Sequence, residues 1–138
     1  MQIGELMTKN LERVDAKAPV REAAEKMRSC GIGALPVEER GQLVGMLTDR
    51  DITVRATALG KDPNTTLVRD VMTHALVTCD ADAPLTEAER LMEEKAVRRL
   101  VVLDAFKRPV GLISLEDLAT VPGEARRTGE VLERLNVP

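Results

Sequence analysis

The chain has 138 residues, of which 43% are hydrophobic and 31% charged, with a formal net charge of −3. This length is sufficient for one domain with a sizeable core. The mixed charges, the absence of Trp and Tyr and the single Phe argue against a nucleic-acid interface, and no run approaches the roughly 18 apolar residues of a membrane span. We therefore expect a soluble protein that binds neither nucleic acid nor a membrane.

Composition also argues against catalysis and metal binding. Residues 1–5 lack a basic region followed by an apolar run, so no secretory signal is predicted and a cytoplasmic location is expected. Cys30 and Cys79 show no partner spacing, and we expect both to be buried thiols. His74 is the only histidine, so neither a zinc site nor His-dependent chemistry is expected. We predict a protein that is not an enzyme and has no metal or catalytic cofactor.

The first half of the chain alternates helical and extended patterns. One helical face is shared by Val20, Ala23, Ala24 and Met27, and Gly31 marks the end of that helix. Before this helix we predict a helical turn over 3–7 and an extended segment over 11–14. After it we predict strands over 34–37 and 43–47 and a helix over 49–59.

A linker over 60–64, with Gly, Asp-Pro and Asn, separates this half from a second half that resembles it. The second half predicts a turn over 68–72, a helix over 85–96, and strands over 100–103 and 110–113. A polar tail follows, in which Val131, Leu132 and Leu135 indicate a short amphipathic helix. We accordingly divide the chain into repeat 1 (1–62), repeat 2 (63–121) and a C-terminal tail (122–138).

The two halves are an internal repeat. Met7-Thr8 recurs as Met72-Thr73 with a spacing of 65, as do other matched positions, and the spacing becomes 66 at Val44 and Val110. One extra residue therefore lies in the second turn between strands. Each half predicts the order β-α-β-β-α, a fold of the α/β (α+β) class. Because neither half buries its sheet well alone, we expect them to pack around a pseudo-twofold axis, with ligand clefts between them.

Each half ends its last strand with the same short pattern, Gly-x-x-Thr/Ser-x-x-Asp. We call Gly45 to Asp51 the Thr48 motif and Gly111 to Asp117 the Ser114 motif. A hydroxyl residue followed three positions later by an acid is typical of a helix capping box. The same groups suit a nucleotide, because a carboxylate accepts both hydrogens of a ribose diol. The strand glycines predict a close approach of either backbone or ligand.

These motifs, with Ala34-Leu35-Pro36-Val37 and Arg98 to Val102 before the second strands, resemble a tandem pair of CBS domains, the regulatory repeat of the cystathionine β-synthase type. The resemblance covers about residues 3–120, and 31–63 is similar to small stand-alone bacterial CBS-pair proteins. It implies a Bateman module in which Asp51 and Asp117 hold ribose hydroxyls, while Thr48 and Ser114 lie at the ribose or phosphate.

The resemblance also implies further ligand contacts. Basic residues at this strand start reach phosphates in such modules, which makes Arg99 and Arg98 candidates here. Arg50, inside the Thr48 motif, is a further phosphate candidate by its position in the sequence. Helix residue Arg55 is a further basic neighbour. The adenine would lie in an apolar slot lined by the first extended segment and the strand before the turn. The candidates for this slot are Val14, Ala34, Pro36, Val77, Thr78 and Leu100.

The resulting hypothesis is a non-catalytic regulatory module. It binds an adenine nucleotide (AMP, ADP, ATP, NAD or S-adenosylmethionine) and signals to a separate, unidentified protein by a conformational shift. The alternative is a structural or oligomerisation module in which the motifs are only caps. We also predict a homodimer whose contact surface draws on Ile52, Val54, Ala56 and Leu118.

Overall fold

A computed structural model describes residues 1–9, 11–74 and 76–121. The chain forms two compact units. One comprises Glu12–Leu76 and is called the Thr48 unit. The other combines Met1–Leu11 with the chain from Val77 onward and is called the Ser114 unit. The tail helix predicted around Val131 lies outside the described residues.

The order β-α-β-β-α predicted for each repeat is confirmed, and the fold is of the mixed α and β class. In chain order the elements are α1 (Ile3–Leu6), β1 (Val14–Asp15), α2 (Val20–Cys30), β2 (Ala34–Glu39), β3 (Gln42–Thr48), α3 (Asp49–Ile52), β4 (Thr78–Asp80), α4 (Leu85–Lys95), β5 (Arg99–Leu103), β6 (Pro109–Ser114) and α5 (Leu115–Ala119). A π-helical turn over Thr53–Thr57 continues α3, and a 3₁₀ turn over Val68–Asp70 precedes β4. The helix predicted over 49–59 thus widens after Ile52 rather than continuing as α-helix.

Each unit contains one three-stranded sheet, ordered β1-β2-β3 or β4-β5-β6. The first pair in each sheet is parallel and the second antiparallel. Both antiparallel pairs shift register, so that Val44 in β3 and Val110 in β6 are bulged residues. A bulge increases the local twist of a strand, and here it lies next to the glycine of each motif.

The hairpin loops explain the change in repeat spacing. Arg40 and Gly41 connect β2 to β3, and both have positive φ, which suits a two-residue turn between twisted strands. In the other hairpin the backbone of Asp104 pairs with Arg108, which leaves three residues in the loop. The last of these, Lys107, has φ of 63°. The second loop is therefore one residue longer, as the spacing predicted.

The two long helices end in the same way but with different residues. Gly31 caps α2 with φ of 65° and ψ of 36°, and the pseudo-equivalent Ala96 caps α4 with φ of 54° and ψ of 47°. Both are left-handed conformations, which cost a non-glycine residue about 1–2 kcal/mol. The second repeat retains this conformation without the glycine that favours it.

Each unit has its own hydrophobic core between the sheet and its helices. The core of the Thr48 unit includes Val14, Val20, Ala23, Met27, Leu35, Val37, Leu47, Ala56 and Val68. The core of the Ser114 unit includes Ile3, Cys79, Leu85, Ala88, Met92, Leu100, Val102, Ile113 and Leu118. The two lists contain several pseudo-equivalent residues, which explains why both repeats keep the same apolar spacing.

The segment that opens each sequence repeat, 1–11 or 63–76, packs in the unit formed by the other repeat. We call these two stretches the leading segments. Thr8 exchanges two backbone hydrogen bonds with Leu112 of β6, at 2.8 and 3.1 Å. Thr73 does the same with Met46 of β3, at 2.9 Å in both directions. Residues 63–76 therefore pack with repeat 1, and 1–11 pack with repeat 2. The boundary between repeats at 62/63 stays a prediction about the sequence. The compact units of the structure are divided at residues 11/12 and 76/77 instead.

Three expectations about individual side chains are wrong. Cys30 is exposed, because it is the last residue of α2, beyond Met27, the last buried residue of that helix, whereas Cys79 is buried. Ala56 and Leu118 were expected at a dimer surface, but both point into the core of their own unit.

No helix in the described part of the chain has the length and apolar character needed to cross a membrane.

Candidate functional site

The Thr48 motif forms a reciprocal capping box at the start of α3. The hydroxyl of Thr48 accepts from the backbone N–H of Asp51 at 3.1 Å, and the Oδ2 atom of Asp51 accepts from the Thr48 N–H at 3.0 Å. Asp51 is only 8% exposed. Its carboxylate also accepts from the hydroxyl of Thr73, at 3.2 Å to Oδ1 and 3.4 Å to Oδ2. Both oxygens of Asp51 therefore already have donors.

The Ser114 motif has the same capping box at the start of α5. The hydroxyl of Ser114 accepts from the Asp117 N–H at 3.1 Å, and Asp117 Oδ2 accepts from the Ser114 N–H at 2.9 Å. Asp117 is half-buried. Over residues 1–9, 11–74 and 76–121, nothing donates to its Oδ1 atom. Thr8, the pseudo-equivalent of Thr73, is exposed and makes no such bond. This carboxylate therefore keeps an acceptor available.

The strand glycines of both motifs are explained by backbone approach. A Cβ at Gly45 would lie 2.6 Å from the carbonyl oxygen of Thr73, and one at Gly111 would lie 2.7 Å from that of Thr8 and 2.6 Å from Met7 Sδ. Real Cβ atoms do not approach other atoms this closely, so each glycine is required by the leading segment that crosses it. The sequence predicted a close approach of either the backbone or a ligand at these glycines, and in the structure it is the backbone that approaches.

Four of the candidate residues share a sheet face with their motif hydroxyl. Ala34 is the cross-strand partner of Thr48, and Arg99 is the partner of Ser114. Directly opposed residues of an antiparallel pair project from the same face, as do residues two apart in a strand. Pro36 therefore lies on the face of Ala34, and Thr78, the partner of Val101, lies on the face of Arg99.

The remaining adenine-slot candidates lie elsewhere. Val14 and Leu100 belong to the hydrophobic cores, on the opposite sheet face from Thr48 and Ser114. Val77 packs at the edge of the Ser114 core. The structure does not bring these three residues together with their motif. Sheet alternation around Arg99 instead indicates Val101, a buried residue that the sequence interpretation missed.

The basic candidates differ in what they contact. Arg98 forms an ion pair with Glu116, and its Nε is buried without a hydrogen-bond partner among the described residues. Arg99 is half-buried and has no carboxylate within ion-pair distance in the described part of the chain. Arg50 is exposed. Helix neighbour Arg55 donates to the carbonyl of Met72 at 3.0 Å, which gives it a structural role.

Two residues near the Thr48 motif were missed by sequence reasoning. Thr73, which donates to Asp51, belongs to the repeated Met-Thr pair, so the repeat itself was the available signal. Asp49 N–H donates to the Gly33 carbonyl at 2.9 Å, and its Oδ2 atom lies 2.9 Å from where a Cβ on Gly33 would stand. No sequence pattern pointed to this contact, because the two residues are 16 positions apart.

The chemistry available at the two motifs is hydrogen bonding and charge. Both hydroxyls and both carboxylates are acceptors held at a strand–helix junction, and Arg99 adds a cation beside Ser114. Within residues 1–9, 11–74 and 76–121, no group of three or more His, Cys, Asp or Glu side chains is arranged to hold a metal ion.

Comparison with known proteins gives a consistent result. The sequence model of the CBS domain matches twice, over residues 3–56 and 68–124. A CBS domain-containing protein of Bacillus subtilis, YhcV, is 37% identical over 97% of this chain and 94% of its own length.

Solved structures show the same similarity. The CBS domain protein TA0289 of Thermoplasma acidophilum has a TM-score of 0.84 at 25% identity, over 99% of this chain and 77% of that one. The CBS domain pair of protein MJ0100, solved in complex with 5′-methylthioadenosine and S-adenosyl-L-methionine, has a TM-score of 0.74 at 26% identity, over 86% and 97% of the two chains.

Proposed function

The chain belongs to the CBS domain family, with two repeats, and on this premise we propose that it is a non-catalytic regulatory module for an adenine nucleotide. The nucleotide binds at the motif ends of the sheets and changes the conformation of the chain. A separate protein, outside this chain, receives that change. The ligands considered are AMP, ADP, ATP, NAD and S-adenosylmethionine.

The observation that carries this proposal is the arrangement around Ser114. Asp117 keeps an Oδ1 acceptor with no donor among the described residues, and Arg99 stands across the strand pair from Ser114 without an acidic partner there. A ribose diol would donate to the carboxylate, and a phosphate would accept from Arg99 and the serine hydroxyl. We assign the ribose role to Asp117 and Asp51, and the phosphate role first to Arg99.

The ligand class is supported by a relative. The CBS domain pair of MJ0100 was solved with 5′-methylthioadenosine and S-adenosyl-L-methionine, and both molecules contain adenine and a ribose diol. Our proposal extends that class to this chain through the retained Thr48/Asp51 and Ser114/Asp117 pairs. Ala34 and Pro36 in one unit, and Thr78 in the other, are the adenine-slot candidates on the same sheet face as the motif.

A homodimer is part of the same proposal. Val54 is 50% exposed and Leu59 67% exposed, although both are large apolar residues on the segment that follows α3. Ile52 packs partly against the core and adds to the same segment. Exposed apolar residues grouped in this way are typical of an interaction surface.

One observation favours the alternative, a structural module without a ligand. The capping boxes already satisfy the hydroxyls and much of the carboxylates, so the motifs have a sufficient role in folding. The two functions differ in a single property, which is saturable binding of a nucleotide.

Titration calorimetry with the six adenine compounds adenosine, AMP, ADP, ATP, NAD and S-adenosylmethionine tests the proposal. Asp51→Asn and Asp117→Asn keep a carbonyl oxygen for the cap but replace one ribose acceptor with a donor, so we expect at least about a tenfold loss at the affected motif. Asp70→Asn, at an exposed aspartate, is the control and should bind as the unmodified chain does.

Nucleotide recovered unchanged after incubation would support the absence of catalysis, and altered hydrogen exchange on binding would support the conformational response. If no compound binds at millimolar concentration to ligand-free protein, the alternative is correct.

A further inference from the structure

The two motifs differ in charge at one pair of contacting positions. In the Thr48 unit this pair is Gly33 and Asp49, and the Asp49 carboxylate lies against the side of Gly33 where a Cβ would stand. In the Ser114 unit the pseudo-equivalent residues are Arg98 and Leu115, which keep the same backbone hydrogen bond, Leu115 N–H to Arg98 carbonyl, at 2.9 Å. The backbone contact is the same in both units, but the side chains differ. Where the Thr48 unit has Gly33, the Ser114 unit has Arg98, and where the Thr48 unit has the acid Asp49, the Ser114 unit has Leu115.

The two positions in each pair depend on each other. The three atoms nearest to a Cβ at Gly33 would all belong to the Asp49 carboxylate, with the closest oxygen at 2.9 Å. Gly33 does not have a positive φ, so conformational freedom does not require a glycine there. The glycine instead makes room for the acidic side chain, and a larger residue such as Arg98 coexists with a leucine in the other unit.

Asp49 is an exposed acid with no ion-pair partner among the described residues. Its Oδ1 atom accepts only from the backbone N–H of Arg50, at 2.8 Å. It lies next to Thr48 in the chain, and Gly33 lies next to Ala34, the strand partner of Thr48. The adjacent Arg50 is exposed and contacts Asp49 through its backbone N–H, not through an ion pair. A ligand phosphate near the Thr48 hydroxyl would therefore meet a carboxylate that has no ion-pair partner among the described residues.

We propose that the two motifs select ligands of different charge, and that Asp49 is the residue that excludes phosphate from the Thr48 motif. This inference rests on the proposed function. The Thr48 motif takes a ribonucleoside that carries no phosphate, while the Ser114 motif takes a phosphorylated one. Specificity of this kind is achieved by repulsion of the wrong ligand as well as by attraction of the right one.

The neighbouring residues support the same division. Ala34 offers no charge where Arg99 lies opposite Ser114. A phosphate monoester carries a charge between −1.5 and −2 at pH 7. At separations of several ångströms near a protein surface, its repulsion by one carboxylate corresponds to roughly tenfold in affinity.

Adenosine and AMP are the probes, because they differ only in the phosphate. In an Asp117→Asn background, which leaves only the Thr48 motif intact, we expect adenosine to bind at least as tightly as AMP. In an Asp51→Asn background we expect AMP to bind about tenfold more tightly than adenosine. Asp49→Asn, added to the first background, should strengthen AMP binding about tenfold and leave adenosine within about twofold.

A graft gives an independent readout. Gly33→Arg with Asp49→Leu copies the Arg98 and Leu115 pair, and should give the Thr48 motif a preference for AMP that weakens with added salt. Asp70→Asn is the control for loss of one negative charge. An equal AMP preference in both backgrounds, or no effect of Asp49→Asn on AMP, overturns the charge assignment while the proposed function stands. Failure of both probes to bind any variant, while another adenine compound of the panel binds the unmodified chain, overturns the charge assignment alone. Failure of all six compounds overturns the proposed function as well.

Discussion

The hydroxyl of Thr73 donates to the carboxylate of Asp51 across 22 positions of sequence, at 3.2 Å to Oδ1. Its pseudo-equivalent Thr8 has no such bond to Asp117 among the described residues, although both threonines pair their backbones with the adjacent strand. The two motifs therefore share a cap but differ in how firmly the acid is held.

Thr73→Val should reduce stability by about 1–2 kcal/mol, because a buried carboxylate loses a donor. Thr8→Val is the matched control and should change the free energy of unfolding by less than about 0.5 kcal/mol. Urea denaturation of both variants measures the difference. Equal losses at the two positions would contradict an energetic role for the Thr73 hydroxyl.

Gly45→Ala and Gly111→Ala should each destabilise the fold by about 1–3 kcal/mol. In both cases the new Cβ meets a backbone carbonyl that belongs to a paired leading segment. Gly33→Ala is the comparison, since its obstacle is the end of an exposed side chain that can rotate away, and it should lose less. Thermal unfolding of the three variants would rank them, and the opposite ranking would count against the close-approach explanation.

Ala96→Gly should stabilise the protein by about 1 kcal/mol, because glycine adopts the left-handed cap conformation of α4 without steric cost. The reverse change at the pseudo-equivalent position, Gly31→Ala, should destabilise by a similar amount. Guanidinium denaturation of both variants checks the pair. No gain from Ala96→Gly would mean that the left-handed residue is not strained.

The buried thiol of Cys79 should make stability depend on alkaline pH. Burial raises the pKa of this thiol from its ordinary value of 9.0 to about 12, and the nearby Asp80 adds to the effect. The folded chain therefore resists deprotonation, so this contribution is complete below pH 9 and is lost as the pH rises from about 9 toward 12.

Cys79→Ala should remove this part of the pH dependence, measured as denaturation midpoints between pH 8 and pH 10. In the folded protein a thiol reagent should react rapidly with exposed Cys30 and slowly with Cys79, and Cys30→Ser should leave only the slow phase. Two equally fast phases in the unmodified chain would show that Cys79 is accessible.

Val54→Asp should weaken self-association, because it places a charge on an exposed apolar surface. Light scattering across micromolar concentrations would record a lower mass than for the unmodified chain. Thr57→Asp, at an exposed position on the same segment, is the control for added charge. A monomeric mass for the unmodified chain would contradict the homodimer itself.

Much of the fold was predictable, because it follows from local patterns. The periodicity of apolar residues predicts the buried face of α2 and the strands before each motif. The change in repeat spacing from 65 to 66 predicts the extra loop residue. The capping boxes were predictable for the same reason. The charge of Arg99 and its position at the start of a strand were also visible in the sequence.

The remainder depends on pairing between distant parts of the chain. Spacing does not tell which strand the Met-Thr segments join, so the bond from Thr73 to Asp51 was not foreseen. Side-chain partners of long residues are equally hidden, and Arg98 and Glu116 lie 18 positions apart. Helical periodicity also assumed a regular helix after Ile52, whereas the structure has a π-helical turn over Thr53–Thr57 that contains the buried Ala56.

The exchange of leading segments makes each repeat an incomplete folding unit. A fragment that ends at the linker would contain β3 but lack the Thr73 segment that covers Gly45, and the complementary fragment would contain β6 without Thr8. Two such fragments mixed together would each supply what the other lacks, as in split-protein complementation.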